Sequence, residues 1–466
     1  CMRRKNYILF NIFLEGYVVL SSALLEMRLL VPFVGYSTEV VAIIIAAVLM
    51  PLAFGYYIGG GFLYQKTGKT VRDKIISNMM FSTVILTFGL SYAFLFLFFN
   101  IISSLGITNN VILTSIYCLI YLVYPIFLLG QTVPLISSYF RGFKIPRLTG
   151  TILFFSTVGS FLGATLSTLV FMAFFGVHFT VIVTIGMIIL IIFILTPKIY
   201  DKRVILSGMI FVLTILLNTS SIHSMHIVSN NQYNTVSVNK FKDDGLLLNI
   251  NNSFSSKIIE DKNKMFKYWQ YVDYEVIEPL KSSSNIHKIL VIGAGGFTIG
   301  IDDLKNQYTY IDIDPDLKKI SERYFLKKKL SENKTFIPKP ARAFLKQSKI
   351  LYDFIFLDAY SNTGTLPPQL ITKEFLYDVK AHLNHNGILM VNIIVDPLMT
   401  TAFSQKYDNT FHEVFTHYNR IPIIDGKTPA LKAMGKPVNV IYFYFHSARQ
   451  ESGNYTDNIN SYFYDR

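Results

Sequence analysis

Charge is scarce in this sequence. Only 16% of its residues are Asp, Glu, Lys or Arg, and the mean hydropathy is +0.39. Soluble domains carry roughly 25% charged residues, so the shortage excludes a wholly soluble chain. Acidic residues are scarcest in the first half. Residues 1–218 hold 5 acidic and 14 basic residues, whereas residues 219–466 hold 25 and 29. A basic excess concentrated in the apolar half follows the positive-inside bias of membrane loops. That pattern argues against nucleic acid as a partner.

Cysteine is nearly absent, with two in 466 residues. Two cysteines exclude a disulfide framework, and no metal-ligand spacing is present, so no metal is expected. Cys118 lies in an apolar run and reads as a small core residue. Cys1 precedes a methionine and reads as a remnant ahead of the natural start rather than a lipid-bearing cysteine.

Long apolar runs are abundant. Seven fall near residues 7–25, 38–63, 76–102, 110–139, 148–173, 177–197 and 204–220. Most approach or exceed the ~20 residues that a helix needs to cross a bilayer; the last is the shortest. Basic residues sit before the first run (Arg3, Arg4, Lys5) and after the second (Lys66, Lys69, Arg72, Lys74). They recur after the fourth (Arg141, Lys144, Arg147) and the sixth (Lys198, Lys202, Arg203). The alternation puts the N-terminus in the cytoplasm. Seven crossings place the C-terminal half outside, in an inner (cytoplasmic) membrane of bacterial type. Six, with the last run lying flat, keep it inside. Glu15, Glu26, Arg28 and Glu39 are the ionisable residues in or near these runs. Glu26 and Arg28 read either as a structural pair near a helix end or as a site in the membrane half. Gln131 and the small-residue run Gly159–Ser167 read as helix-packing features.

After residue 220 the pattern changes. "VSVNKFKDDGLLLNINNSFSSKII" alternates around an Asp-Asp-Gly turn, as antiparallel strands do. "MFKYWQYVDYEVIEPL" has helical spacing. Apolar strands and helices then alternate: "KILVIGAG", "YTYIDIDPD", the helix "LKKISERYFLKKKL", "YDFIFLDAY", the helix "TKEFLYDVKAHLN", "GILMVNII" and "VNVIYFYFHS". This predicts a parallel, doubly wound α/β sheet. The division expected is 1–220 membrane helices, 221–284 a small β and helical segment, 285–450 the α/β domain, and 451–466 a polar tail. Ligands bind beyond the carboxyl ends of the strands in such sheets. Three strand ends carry candidate residues. They are the turn Gly293-Ala294-Gly295-Gly296, the pair Asp312 and Asp314, and Asp358 followed by Tyr360 and Ser361. A glycine turn admits a nucleoside phosphate or ribose closely, and an acid at the next strand end accepts ribose hydroxyls.

Taken together, "NQYNTVSV", "ILVIGAGG", "YIDIDP", "YDFIFLDAYS" and "LITKEFLYDVKAHLNHNGILMVNI" resemble spermidine synthases, which have a class I methyltransferase-like, Rossmann-type fold. The apolar half, with "EMRLLVPFVGYSTEVVAIIIAAVLMPLAFGYYIGG" and "FLLGQTVPLISSYF", is similar to the membrane segment of fused transporter-like/spermidine-synthase-like proteins. The resemblance implies aminopropyl transfer from decarboxylated S-adenosylmethionine, or a related use of S-adenosylmethionine itself, onto a small cationic substrate such as a polyamine. It implies Asp358 as the catalytic base, and Gly293, Gly295, Gly296, Asp312, Asp314 and Ala341 around the adenosyl group. Tyr233, Asn234, Tyr360 and Ser361 would line the acceptor side, and a homodimer would be usual. Several positions depart from the family pattern. Gly296 and Ser361 stand where polyamine-binding acids are expected, Phe297 where a glycine is, Pro340 where an acid approaches adenine, and Asn234 where a glutamine is. Glu26, Asp273 or Glu275 would be the replacement acids, and Phe297 would crowd the turn or fill the pocket. Two further readings stay open: a non-catalytic ligand-binding or transport protein with an extracytoplasmic synthase-like domain, and another S-adenosylmethionine-dependent alkyl or methyl transfer.

Overall fold

The structure, a computed structural model, describes residues 2–62, 68–107, 109–137, 145–196, 200–241, 245–362, 365–424 and 437–446. Cys1, Lys66, Arg141, Lys144, Lys198, the acidic pair of the Asp-Asp-Gly turn and the tail 451–466 lie outside these residues, as do the side chains of Arg3, Arg4, Lys5 and Lys69. The chain divides into two compact units, residues 1–237 and 238–466.

The first unit is helical. Its helices are α1 (Met2–Val34), α2 (Thr38–Phe62), α3 (Gly68–Gly89), α4 (Tyr92–Ser104), α5 (Asn110–Cys118), α6 (Tyr124–Gly130), α7 (Thr132–Ser137), α8 (Ile145–Leu166), α9 (Val177–Leu195) and α10 (Lys202–Ser224). A π-helical turn, Leu119–Val123, joins α5 to α6, and another, Ser167–Phe175, extends α8. Among the described residues, six stretches are long and apolar enough to cross a membrane: Tyr7–Val34, Thr38–Gly61, Asn110–Ser137, Pro146–Phe175, Val177–Leu195 and Lys202–Ser224. The last apolar run thus belongs to a helix of 23 residues. Asp201 caps its start by accepting the Arg203 N–H (3.0 Å), which leaves that N–H satisfied before the apolar face begins. The irregular stretch is the third. There Val71–Gly89 and Tyr92–Ser104 meet at a 70° bend.

α1 lies on α8 at backbone contact. A Cβ on Gly159 or Gly163 would run into the carbonyl of Phe13 or Tyr17, and one on Gly16 into that of Ser156. Ser160 Oγ donates to the Gly16 carbonyl (3.2 Å). The small residues of 159–167 therefore serve helix packing, as small-xxx-small seams do. Beside the seam runs a hydroxyl chain: Tyr17 to Ser167 (3.1 Å), Ser167 to Ser21 (2.7 Å) and Ser21 to Thr184 (2.7 Å). Gln131 accepts from Asn78 Nδ2 (3.0 Å), again within the packing.

The first unit ends in β1 (Ile227–Asn230) and the start of β2 (Thr235–Lys240), which pair antiparallel. The second unit holds the rest of β2, then β3 (Leu246–Ile250) and β4 (Ser253–Ile258), also an antiparallel pair. The helices α11 (Lys267–Val272) and α12 (Glu278–Ser282) follow, joined by a π turn at Asp273–Ile277. The main sheet comprises β5 (Lys288–Ile292), β6 (Gln307–Asp312), β7 (Lys334–Pro338), β8 (Tyr352–Leu357), β9 (Leu383–Val395), β10 (Asn419–Pro422) and β11 (Val438–Phe445). Its order is β10-β11-β9-β8-β5-β6-β7. The pairs β5–β6, β6–β7, β5–β8 and β8–β9 are parallel. The helices α13 (Leu317–Ile320), α14 (Ala341–Gln347), α15 (Lys373–Lys380) and α16 (Ala402–Val414) connect them.

The doubly wound reading holds for β5 to β9 and not at one edge, where β11 runs antiparallel to β9 and to β10. The helix expected through "LKKISERYFLKKKL" stops early, becoming a π turn at Ser321–Phe325. Lys327 at φ +55° ends it, since an L-residue in the left-handed region breaks the helical ladder. The core is built by the central strands and by Phe375, Val379 and Phe411 of the flanking helices, all buried.

Replacing Gly163 by Leu is expected to force α1 from α8, because the obstacle is backbone. The expected loss is at least the ~1–3 kcal/mol of ordinary overpacking, read as a lower melting temperature of the purified protein in detergent; an unchanged melt would refute the seam.

Candidate active site

The chain climbs β5, β6 and β7 toward one edge and returns to place β8 on the other side of β5. The resulting switch point opens a crevice at the carboxyl ends of β5 and β8. Register then fixes which residues meet there. Ile292 pairs with Ile311 and with Leu357, and Leu357 pairs with Val391. The next residue on each strand is therefore Asp312, Gly293, Asp358 and Asn392, in one row across four neighbouring strands; the first three lie at strand ends, while β9 runs on past Asn392 to Val395.

Gly293 holds the middle of the row. Its φ is +92°, and a Cβ there would run into the Asp358 carbonyl. Its N–H donates to Ile311 (2.9 Å), while the Asp358 N–H donates to Ile292 (2.9 Å). Only glycine satisfies both the conformation and the contact. The turn continues through Gly295, φ +50°. The Gly296 N–H donates to Ser256 Oγ (2.8 Å), and the Gly296 carbonyl accepts from Ser321 Oγ (3.0 Å). A side chain at Gly296 would strike the Phe325 ring and Ser256. An acid at this position is thus excluded by packing. Phe297, at φ +60°, is fully buried. Its ring packs edge-on against Tyr310 (5.1 Å) and Phe336 (5.3 Å) of β6 and β7. It fills the core beside the sheet rather than the turn.

Asp312 ends β6. Its Oδ2 accepts the Ala294 N–H (3.1 Å) and its Oδ1 the Asp314 N–H (3.2 Å). Burial lifts the carboxyl to about 6, with a further push from Asp314, while these N–H bonds hold it down. The Ile313 N–H acts on it as well; of the about four acceptor positions of an ionised carboxylate, about one remains for a ligand hydroxyl. Asp314 is buried and accepts the Asp316 N–H (3.1 Å) at the start of α13. Asp312 also pairs with Pro338 of β7, which brings the loop through Pro340 to Ala341, the first residue of α14, to the same end of the sheet.

Asp358 is the other carboxylate of the row. Asn392 Nδ2 donates to its Oδ1 (3.0 Å). Burial raises the carboxyl to about 6, opposed by hydrogen bonds from Asn392 and Tyr268. The Tyr268 hydroxyl also lies 3.2 Å from the Ser255 carbonyl, so its single proton has two acceptors in reach. Burial, and then the charge of Asp358, push that hydroxyl well up. Asn392 is buried and its Oδ1 has no hydrogen-bond partner. Tyr360 braces the row: its hydroxyl accepts the Ile394 N–H (2.6 Å) and donates to the Asn392 carbonyl (3.2 Å). Ser361 Oγ donates to the Thr365 carbonyl (2.9 Å), and the Ser361 carbonyl accepts from Asn251 (2.9 Å).

The structure thus gathers Gly293, Gly295, Gly296, Asp312 and Asp358, with Asp314 behind them as a helix cap. Tyr233 and Asn234 belong to the first unit. They lie in the turn between β1 and β2, where both N–H groups donate to Asn231 Oδ1 (2.9 Å each). Asp273 lines a crevice with Lys262, Trp269 and Asp302, and Glu275 lies in the same π turn as Asp273. Sequence reading missed Tyr268, Asn392 and Ser256. Asn392 was within reach, because it is the one polar residue interrupting the apolar run of "GILMVNII". Glu26 and Arg28 are not a pair. Glu26 is buried with both oxygens lacking a partner. Arg28 donates instead to the Asn231 carbonyl (2.6 Å), Thr235 Oγ1 (3.1 Å) and Asn230 Oδ1 (3.3 Å). Residues two apart point to different sides of a helix.

The row defines a class: an α/β unit with an acid, a glycine turn and a second acid at adjoining strand ends. Comparison with known proteins is more specific. Residues 275–426 match the spermine/spermidine synthase domain, a span that runs from the end of the first helical segment through β10. The chain is 32% identical over 146 residues to a polyamine aminopropyltransferase of Vibrio vulnificus, covering 29% of this chain and 46% of that one. It is 26% identical over 194 residues to a probable polyamine aminopropyl transferase of Bifidobacterium longum, covering 41% and 42%. An N-terminal histidine N-methyltransferase of Emericella nidulans is 31% identical over 156 residues, covering 29% and 26%. The chain thus spans less than half the length of these relatives. Among solved structures, a probable spermidine synthase from Corynebacterium glutamicum aligns with 17% identity and a TM-score of 0.39, covering 49% of this chain and 80% of that one.

Phe297→Gly separates strain from packing. Left-handed backbone costs an L-residue about 1–2 kcal/mol, whereas emptying a buried phenylalanine site costs about 3–5 kcal/mol. Packing wins, so the variant is expected to be less stable by about 2 kcal/mol or more in urea unfolding. A gain in stability would mean that the ring contributes little to the core.

Proposed function

We propose that the chain is a membrane-bound aminopropyltransferase-like enzyme, and that its second unit transfers an aminopropyl group from an adenosyl sulfonium donor to an amine. The observation that carries this reading is Asp358, a carboxylate at the switch point raised to about 6 and hydrogen-bonded by Asn392 and Tyr268. Asp312 would accept a ribose hydroxyl of the donor, the turn at Gly293 and Gly295 would admit its backbone-facing edge, and Ala341 would border the base. The donor supplies an electrophilic carbon bound to sulfonium. The acceptor nitrogen forms the new C–N bond as the C–S bond breaks, methylthioadenosine leaves, and the nitrogen's surplus proton passes to Asp358. An amine attacks only when its lone pair is free, so an ionised carboxylate in reach is the required base. The names of the Vibrio and Bifidobacterium relatives support a polyamine as the acceptor. Methyl transfer from S-adenosylmethionine is the competing reaction, and its by-product, S-adenosylhomocysteine, distinguishes it.

The helical unit would hold the enzyme in the bilayer as a multi-pass protein with its N-terminus in the cytoplasm. Counting the bent pair as one crossing would make seven among the described residues, and an odd number would put the second unit on the far side. A C-terminal reporter active only outside the cytoplasm is expected to be active; activity of a cytoplasmic reporter instead would make the bent pair re-entrant.

Turnover is expected to rise as pH passes about 6, where Asp358 ionises. Asp358→Asn should cut methylthioadenosine release from decarboxylated S-adenosylmethionine and putrescine at least a hundredfold, in line with loss of a general base. The stability change runs the other way. A carboxyl whose folded value is raised stabilises most below its unfolded value near 4, and that contribution is lost as pH rises through about 6. At pH 8 the variant should therefore melt no lower than the parent. Full activity of the variant would remove Asp358 as the base.

A further inference from the structure

One face of α1 carries polar groups that the catalytic reading does not use. Asn11, Glu15, Ser22 and Glu26 are exposed by 0, 1, 0 and 0%. Among the described residues, Asn11 Oδ1, both oxygens of Glu15, Ser22 Oγ and both oxygens of Glu26 have no hydrogen-bond partner. The spacing of four, seven and four residues confines the four side chains to about 60° of the helix circumference. Tyr17, Ser21 and Arg28 occupy another face, and the described bonds of all three are elsewhere. Glu15 and Glu26 stand about 16 Å apart along the axis, roughly half of a ~30 Å hydrocarbon layer.

The surroundings are titratable but not cationic. Tyr56 of α2 feels the charge of Glu15, and Tyr117 and Cys118 of α5 feel that of Glu26. Among the described residues no Lys, Arg or His acts on either carboxyl. Burying a carboxylate without a partner is strongly unfavourable, and a bound proton removes that charge. Because the four side chains are shielded from solvent, nothing larger than a proton reaches them while the helices stay packed.

From this geometry we infer that Glu15 and Glu26 are successive proton-binding groups of a proton path along α1, with Asn11 and Ser22 as polar stations beside them. A proton leaves one carboxyl and reaches the next through water or hydroxyl groups admitted when the helices part, so no other reactant is needed. The inference rests on the membrane reading of the helical unit and not on the transferase reading of the second unit.

The test uses the full-length protein reconstituted into phospholipid vesicles containing a trapped pH-sensitive dye. Flotation first establishes insertion. The expected result is that an imposed pH gradient collapses faster than in protein-free vesicles, and that Glu15→Gln and Glu26→Gln each slow the protein-dependent rate at least tenfold. Protein that does not float with the vesicles overturns the membrane reading and this inference with it. Floating protein that adds no proton flux, or variants as fast as the parent, overturns this inference alone. Should a variant fail to insert, the parent's infrared spectrum decides. A carbonyl band of un-ionised side-chain carboxyls that responds to the imposed gradient is expected, and an unresponsive spectrum overturns the path.

Discussion

The carboxyl end of the second unit's sheet depends on a contact that involves no side chain on one of its partners. Gly293 lets the backbone of Asp358 lie against it, and only that closeness lets β8 run beside β5 up to the last residue. Everything at the site inherits its position from this approach. Asp312 is held against the turn by the Ala294 N–H, Asp358 stands one strand over, and Asn392 comes one strand further. Four residues separated by up to a hundred positions thus become a row. The two carboxylates face different partners, with backbone N–H groups around Asp312 and side-chain donors around Asp358. That difference suits one to static binding of a hydroxyl and the other to exchange of a proton.

The sequence made the row's acids and glycines legible because strand ends announce themselves locally. An apolar run stops, and the residue after it is polar or glycine. Asp312, Gly293 and Asp358 were all found that way. Tyr268 was not, because nothing in "MFKYWQYVDYEVIEPL" says which of its aromatics turns toward a strand 90 residues later. Ser256 escaped for the same reason, since its bond to Gly296 spans two different sheets of the unit. Phe297 could be seen as anomalous but not placed, because its direction depends on a positive φ and on the space offered by Tyr310 and Phe336.

In the helical unit, hydropathy located the long apolar helices well and the bend between two of them poorly. The weakest apolar run is a full helix, and the unbroken-looking third run contains the sharp bend. The ends of helices depend on caps such as Asp201, a local signal, whereas a bend depends on what packs around it. The edge of the main sheet was misread for a related reason: β11 is as apolar as the parallel strands, and nothing in its own residues marks its antiparallel direction.

The seam between α1 and α8 has a consequence for how this sequence can drift. When two side chains collide, a smaller neighbour relieves the collision, and the pair can change together. At Gly159 and Gly163 the obstacle is the carbonyl oxygen of Phe13 or Tyr17, an atom that every amino acid carries. No substitution on α1 can make room. Those two positions are closed to exchange by any route confined to side chains.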